Sequence, residues 1–272
     1  LSPVQHAVEG VRQGVKLVPA SAALAAQAHL LEIPVVPLPE DAEGTISADA
    51  KDVVRKLAEG ASAVLVGPGM RVSGGTSSIV SALLGIDVPL VIDADGLNCL
   101  SRLTNGALPD FPEITRRRAP LVLTPHRAEL GRLVGQASNP PDSLVGQLDA
   151  ARKIIWADGG SELVVVAKGC ATGCVSVEQA VLPKPGPAAL ATAGSGDVLA
   201  GMMASALAQR AGEDVDLALL AAYVCEIHGY AGSLAAERVG SHAVMACDLI
   251  DVVGLASDAV EEHASYPDGL AE

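Results

Sequence analysis

The most reactive-looking group in the sequence stands at a helix mouth. Thr192-Ala193-Gly194-Ser195-Gly196-Asp197 leads into Val198-Leu199-Ala200-Gly201, an apolar run with the composition of a buried helix. Gly-Ser-Gly lets the backbone approach a ligand closely. A helix starting there aims its free N–H groups and positive dipole end at the same point. That combination suits a phosphate or a developing negative charge. Asp197 reads either as a first-turn acid that favours the dipole or as a general base beside a phosphoryl group. The two roles are compatible, and the flanking glycines favour the second.

Further polar residues follow short apolar runs. Val66 is followed by Gly67-Pro68-Gly69, Ile92 by Asp93-Ala94-Asp95-Gly96-Leu97-Asn98, Leu123 by Thr124-Pro125-His126-Arg127-Ala128-Glu129, and Ala167 by Lys168-Gly169. Ligands of open α/β sheets bind at the carboxyl ends of strands, so four such exits together predict a cleft for a polar ligand. Each residue also has a plainer reading. Asp93 and Asp95 suit helix caps, His126 a polar loop, and Lys168 the rim of a sheet. A lysine ending an apolar strand is out of place unless it faces a cleft or an anion. Neither a Walker A loop nor a Gly-x-Gly-x-x-Gly fingerprint after the first strand is present.

The elements that must position these groups are legible in the pattern. Apolar runs at 63–66, 89–92, 121–123 and 163–167 read as strands of a parallel sheet covered on both faces, with weaker candidates at 15–18 and 35–38. Helical stretches at 20–31, 48–59, 76–84, 126–134 and 141–157 lie between them, and Ser47 stands where an N-cap belongs. Residues 173–177 and 179–182 read as an edge hairpin. After Gly194 come three helices with no strand between them, at 197–211, 214–238 and 245–257, and then a polar tail at 261–272 expected to fray. The outline is α/β, a doubly wound sandwich ending in a helical cluster. No Pro/Gly/Ser linker divides it, so residues 1–272 are expected to form one domain.

Composition narrows the function classes. Half of the 272 residues are apolar, yet only one Trp, three Tyr and one Phe are aromatic, so the core is aliphatic. The net charge of −14 disfavours nucleic acid and anionic membrane. The one basic run, Arg116-Arg117-Arg118, reads as a solvated loop. Mean hydropathy is +0.38, but the longest apolar stretches, 198–208 and 217–225, fall short of the ~20 residues of a membrane span and read as buried helices. The opening Leu1-Ser2-Pro3 lacks the basic and apolar regions of a signal peptide. Five cysteines without regular spacing argue against a disulfide framework, and the lone Cys170/Cys174 pair lacks further metal ligands in sequence reach. A cytoplasmic location is expected.

In this order the motifs resemble the ADP- or ATP-dependent NAD(P)H-hydrate dehydratases of the ribokinase-like superfamily. The likeness runs from about Val15 to Ser257, and includes His228-Gly229-Tyr230-Ala231-Gly232 and Ala246-Cys247-Asp248-Leu249-Ile250. It implies a three-layer sandwich with a mostly parallel central sheet flanked by helices. It implies a repair reaction in which a nucleotide phosphorylates the hydroxyl of NADHX or NADPHX, phosphate leaves, and NAD(P)H is restored. It assigns catalysis to Asp197, contacts with the hydrated dinucleotide to Gly67, Gly69, Asn98, His126 and Asp197, and the nucleotide to Lys168, Gly169, Cys170, Ala171, Thr172, Gly194, Ser195 and Gly196. ADP or ATP is the implied donor, with Mg²⁺ on its phosphates, and the implied assembly is a homotetramer. The chain departs from the pattern in three places. It opens at 8–14 where the family has a first strand and a Gly-rich loop. Arg127-Ala128 follows His126 in place of Pro-Gly or Ala-Gly. Met70-Arg71 replaces Leu-Gly. A vitamin-precursor kinase acting on a hydroxymethylpyrimidine or thiazole, and a non-catalytic nucleotide-binding homologue, are the alternatives.

Overall fold

The computed structural model describes residues 14–108, 114, 117–156 and 162–265. Four short strands, β3 (Val64–Val66), β4 (Leu90–Ile92), β5 (Leu121–Leu123) and β6 (Leu163–Ala167), pair in parallel in sequence order. Two antiparallel strands, β7 (Gly173–Val175) and β8 (Ala180–Val181), extend that edge as the expected hairpin.

The strands are apolar throughout because both faces are covered. Leu90, Ile92, Leu121, Leu123, Leu163 and Val165 face one core. The helices on that side are α2 (Lys51–Glu59), α3 (Gly74–Leu84), α4 (Asp95–Leu103), α5 (Arg127–Leu133) and α6 (Leu144–Trp156), which contribute Val54, Ile79, Leu100, Leu130 and Ile154. The alternate residues Val91, Val122, Val164 and Val166 face a second core with Leu199, Met203, Val224 and Cys225. These belong to α7 (Ser195–Gln209) and α8 (Leu217–Val239). A third cluster joins α8 to α9 (Ala246–Ser265) through Ile227, Ala231, Leu249 and Val252. The result is the expected three layers. The winding differs from the doubly wound expectation: the described crossovers advance one way along the sheet, and the C-terminal helices cover its second face.

Caps fix the helix starts. Ser47 accepts the Asp49 N–H ahead of α2, Ser73 and Thr76 form a reciprocal capping box on α3, and Asp216 accepts the Ala218 and Leu219 N–H groups on α8.

Several expectations are corrected. The weak candidates form β1 (Lys16–Pro19) and β2 (Val35–Leu38), but these pair only with each other, as a separate parallel ribbon. Pro37 offers no N–H for a further ladder, and the short helix α1 (Ala23–His29) beside the ribbon buries no residue. Arg117 is not a solvated loop residue. It is 7% exposed, and its guanidinium donates to the carbonyls of Leu83 (3.1 Å), Leu84 (2.9 Å), Ile86 (2.7 Å) and Val88. α8 runs 23 residues, long and apolar enough for a membrane span, because it continues past the apolar stretch through Glu226 and His228; most of it is packed inside. α9 continues to Ser265, beyond the expected start of fraying, while 266–272, like the atypical opening at 8–13, fall outside the described residues.

Candidate functional site

The sheet ladder runs slightly past its strands, and this aligns the exits. Asp93 N–H donates to Val66 O (3.1 Å), Thr124 N–H to Ile92 O (3.2 Å) and Lys168 N–H to Pro125 O (2.9 Å). Gly67, Asp93, Thr124, His126 and Lys168 therefore lie side by side. Gly67 has φ +129°, and a Cβ there would stand 1.7 Å from the Asp93 carbonyl oxygen, so only glycine allows the two exits to touch.

Asp93 is 1% exposed, and its Oδ1 accepts from Lys168 Nζ (2.8 Å) and Thr124 Oγ1 (2.8 Å). The chain thus ties β4, β5 and β6 together with one buried, charge-assisted pair. The same ammonium lies against the mouth of α7, where a methyl group added to Gly196 would stand 3.2 Å from Nζ. Gly194 enters that helix in the left-handed region, φ +85°. Behind the loop, the buried His228 of α8 places Nε2 3.0 Å from Ser195 O. Burial holds its pKa below the usual imidazole range, and the Lys168 charge adds to this against the pull of the Ser195 carbonyl. A neutral His228 donating to that carbonyl braces the loop.

Asp197 projects from the first turn of α7 into this field. Its carboxyl is raised above the usual range, first by desolvation and then by repulsion from Asp93, with Lys168 and Lys16 pulling the other way. A base with a raised pKa beside a fixed ammonium and a ring of helix N–H groups is equipped to take a proton from a hydroxyl while an anionic group is held next to it.

The remaining expected residues occupy distinct places. His126 caps α5: its Nδ1 accepts the Ala128 N–H (3.1 Å), and Glu129 accepts the His126 N–H (2.8 Å). Its Nε2 lies 3.2 Å from Glu129 Oε1, so the cap engages both ring nitrogens, while half of the side chain stays exposed at the exit next to that of Lys168. Asn98 donates its amide to Asp95 (3.3 Å) on α4 and accepts from Arg132 (2.9 Å) on α5, and among the described residues no hydrogen bond joins it to the Asp197 loop. Gly169, Cys170, Ala171 and Thr172 form the turn between β6 and β7, with Cys170 exposed. Cys174 lies instead beside Cys225 of α8, their sulfurs 4.0 Å apart.

Gly69 lines a cleft of about 340 Å³ between β1, the 44–46 turn and the loop after β3, together with Lys16 and Arg71. Among the described residues no group of three or more His, Cys, Asp or Glu is placed to hold a metal ion. Asp93 reads in the sequence as an exit residue or a helix cap, and in the structure it pairs with Lys168 instead of capping α4; Lys16 and Arg71 carry no motif that marks them as lining the cleft. For the Asp93–Lys168 pair the signal was available: an acid and a lysine at exits on the same edge of the sheet, one strand apart.

The layers, the sheet order and the exit-side cluster define a ribokinase-like α/β protein. A sequence model of the NAD(P)H-hydrate dehydratase family matches residues 11–254, and the chain belongs to that family. It is 36% identical over 237 residues to the bifunctional NAD(P)H-hydrate repair enzyme Nnr of Moorella thermoacetica, an alignment that covers 85% of this chain and 41% of that protein. The chain thus spans about two fifths of the length of this curated relative. The fold superposes on the ADP/ATP-dependent NAD(P)H-hydrate dehydratase of Bacillus subtilis, co-crystallised with ATP and Mg²⁺, with TM-score 0.66 and 25% identity over 95% of this chain and 84% of the other. Hydroxyethylthiazole kinase of Pyrococcus horikoshii shares the fold at TM-score 0.62 and 17% identity, covering 97% of this chain and 96% of that one.

Proposed function

We propose that this chain dehydrates the hydrated nicotinamide ring of NADHX or NADPHX at the expense of ADP or ATP. The observation behind it is the convergence of Asp197, Lys168, Asp93 and the Gly194–Gly196 loop at one end of the sheet in a member of this family.

Asp197 takes the proton of the C6 hydroxyl as that oxygen attacks the terminal phosphorus of the nucleotide. The loop N–H groups and Lys168 hold the charge on the transferring group. The C6–O bond then breaks with its electron pair leaving on phosphate, pushed out by the ring-nitrogen lone pair, and loss of a C5 proton restores the double bond. The products balance as NAD(P)H, the shortened nucleotide, inorganic phosphate and a proton. Gly67, Gly69 and His126 form the dinucleotide side, and 168–172 the nucleotide side. Mg²⁺ that rides on nucleotide phosphates needs few protein ligands, and when bound it would neutralise phosphate charge. A cytoplasmic location and a homotetramer belong to the same reading.

The test mixes the protein with acid-prepared NADHX, Mg²⁺ and either ADP or ATP. Nucleotide-dependent recovery of the reduced-nicotinamide absorbance with equimolar phosphate is expected. Binding of nucleotide without recovery would sink the proposal. Phosphate retained on a thiazole or pyrimidine alcohol would replace it with the kinase reading.

A further inference from the structure

In a chain of net charge −14, two cations meet at the cleft that Gly69 lines. Lys16, at the start of β1, has no side-chain hydrogen bond or ion pair among the described residues, and its charge reaches Asp197. Arg71 occupies the left-handed region at φ +59°, where the family pattern implies glycine. Its backbone N–H donates to Asp95 (3.0 Å) and its Nη1 to the Glu43 carbonyl (3.3 Å). These bonds fix the arm at the cleft wall and leave Nε and Nη2 without a hydrogen-bond partner among the described residues. The nearby Asp41 carboxylate accepts from the N–H groups of Glu43 (3.0 Å) and Thr45 (2.9 Å) and from the Thr45 hydroxyl; it feels the Arg71 charge, but no hydrogen bond joins it to the guanidinium among the described residues. The cleft wall is otherwise backbone, apolar side chains and Thr45.

We propose that Lys16 and Arg71 bind a phosphate group of the hydrated dinucleotide in the cleft between β1 and the loop after β3. The inference rests on the dehydratase reading for its substrate class. A strained arginine that shares a cleft with a lysine lacking any hydrogen bond or ion pair among the described residues matches, in an acidic protein, an anion that must enter next to, but apart from, the nucleotide phosphates. The guanidinium supplies the forked donor set that phosphate oxygens accept. Two phosphates of the dinucleotide could occupy the cleft: the pyrophosphate, common to NADH and NADPH, and the 2′-phosphate of NADPH alone.

The experiment titrates NADH and NADPH into the full chain by their fluorescence, for the wild type, Arg71→Gly, Arg71→Lys and Lys16→Met. Glycine suits the backbone at 71, so Arg71→Gly should fold at least as well as the wild type. Loss of either cation should weaken binding about tenfold, the scale of one charged hydrogen bond, while Arg71→Lys recovers part of it and ATP affinity changes less than twofold. Equal losses for both dinucleotides assign the pyrophosphate, and a loss confined to NADPH assigns the 2′-phosphate. Unchanged affinity for both, or a loss that falls on ATP instead, overturns the proposal. Turnover of the hydrates separates the two readings. Charge-dependent NADPH binding without turnover sinks the dehydratase and keeps the subsite. Turnover with unchanged KM in both neutral variants does the reverse.

Discussion

Asp197 sits between charges that pull its proton in opposite directions. Burial and Asp93 raise its pKa, while Lys168 and Lys16 lower it. As a base it works only when ionised, so the acid limb of the rate profile should lie above the usual carboxylate range. Asp93→Asn removes a raising charge and should move that limb to lower pH. Lys168→Met removes a lowering charge and should move it to higher pH. Limbs that move together, or not at all, would disconnect these residues from Asp197. The same shift has a consequence for stability. A carboxyl whose folded pKa is raised gives stability that is present at low pH and lost as pH rises through the folded value. At neutral pH the ionised Asp197 is therefore a small burden on the fold. Asp197→Asn should keep or raise Tm at pH 7 while turnover falls by about 10²–10⁴, the usual reach of a general base. Near-normal turnover in that variant would remove Asp197 from the mechanism.

At the scale of elements, Arg117 shows what a sequence pattern conceals. Three successive arginines look like a solvated loop, yet the second turns inward and closes the end of α3, where the last carbonyls of a helix lack internal partners. Nothing in the local sequence says that four carbonyls from 83–88 converge on one guanidinium. Arg117→Met keeps the apolar stem but takes the donor from the Leu84 and Val88 carbonyls in a buried place, while Leu83 and Ile86 keep the N–H groups of Ile86 (3.2 Å) and Val88 (3.0 Å). It should cost about 3 kcal/mol, read as a lower urea midpoint at unchanged m-value; a loss under about 0.5 kcal/mol, the scale of ordinary surface changes, would make the clamp incidental. The parallel strands were legible for the opposite reason. A strand covered on both faces must be apolar at every position, and Val64–Val66, Leu90–Ile92, Leu121–Leu123 and Leu163–Ala167 are. The exits were legible too, since polar and glycine residues there break such runs abruptly. Pairings across the chain were not. The Lys168–Asp93 bond joins residues 75 positions apart, and the isolation of β1 and β2 from the main sheet follows from long-range packing that a four-residue run cannot encode.

Across the whole molecule, the site exists only when the layers are assembled. Gly67, Asp93, His126 and Lys168 come from four strand exits, and Asp197 from a helix that packs on the sheet's other face. The unfolded chain scatters these groups over more than a hundred residues, so a nucleotide has no site in it. Ligand that binds only the folded state raises stability by mass action, about 2.7 kcal/mol at a hundredfold excess over Kd. For a chain of this length, with unfolding entropy of about 2 cal/mol/K per residue, that is a rise in Tm of roughly 5 °C. ADP and ATP with Mg²⁺, tested in parallel, should each be judged by this shift, and the donor should produce it at the lower concentration. Arg71→Gly should retain the full shift, because Arg71 lines the cleft beside β1 while the proposed nucleotide side is Lys168 and the mouth of α7. A shift lost in Arg71→Gly would merge the two sides into one site. No shift with either nucleotide at millimolar concentration would leave the glycine loop before α7 without an anion, and the phosphoryl-transfer reading without its donor.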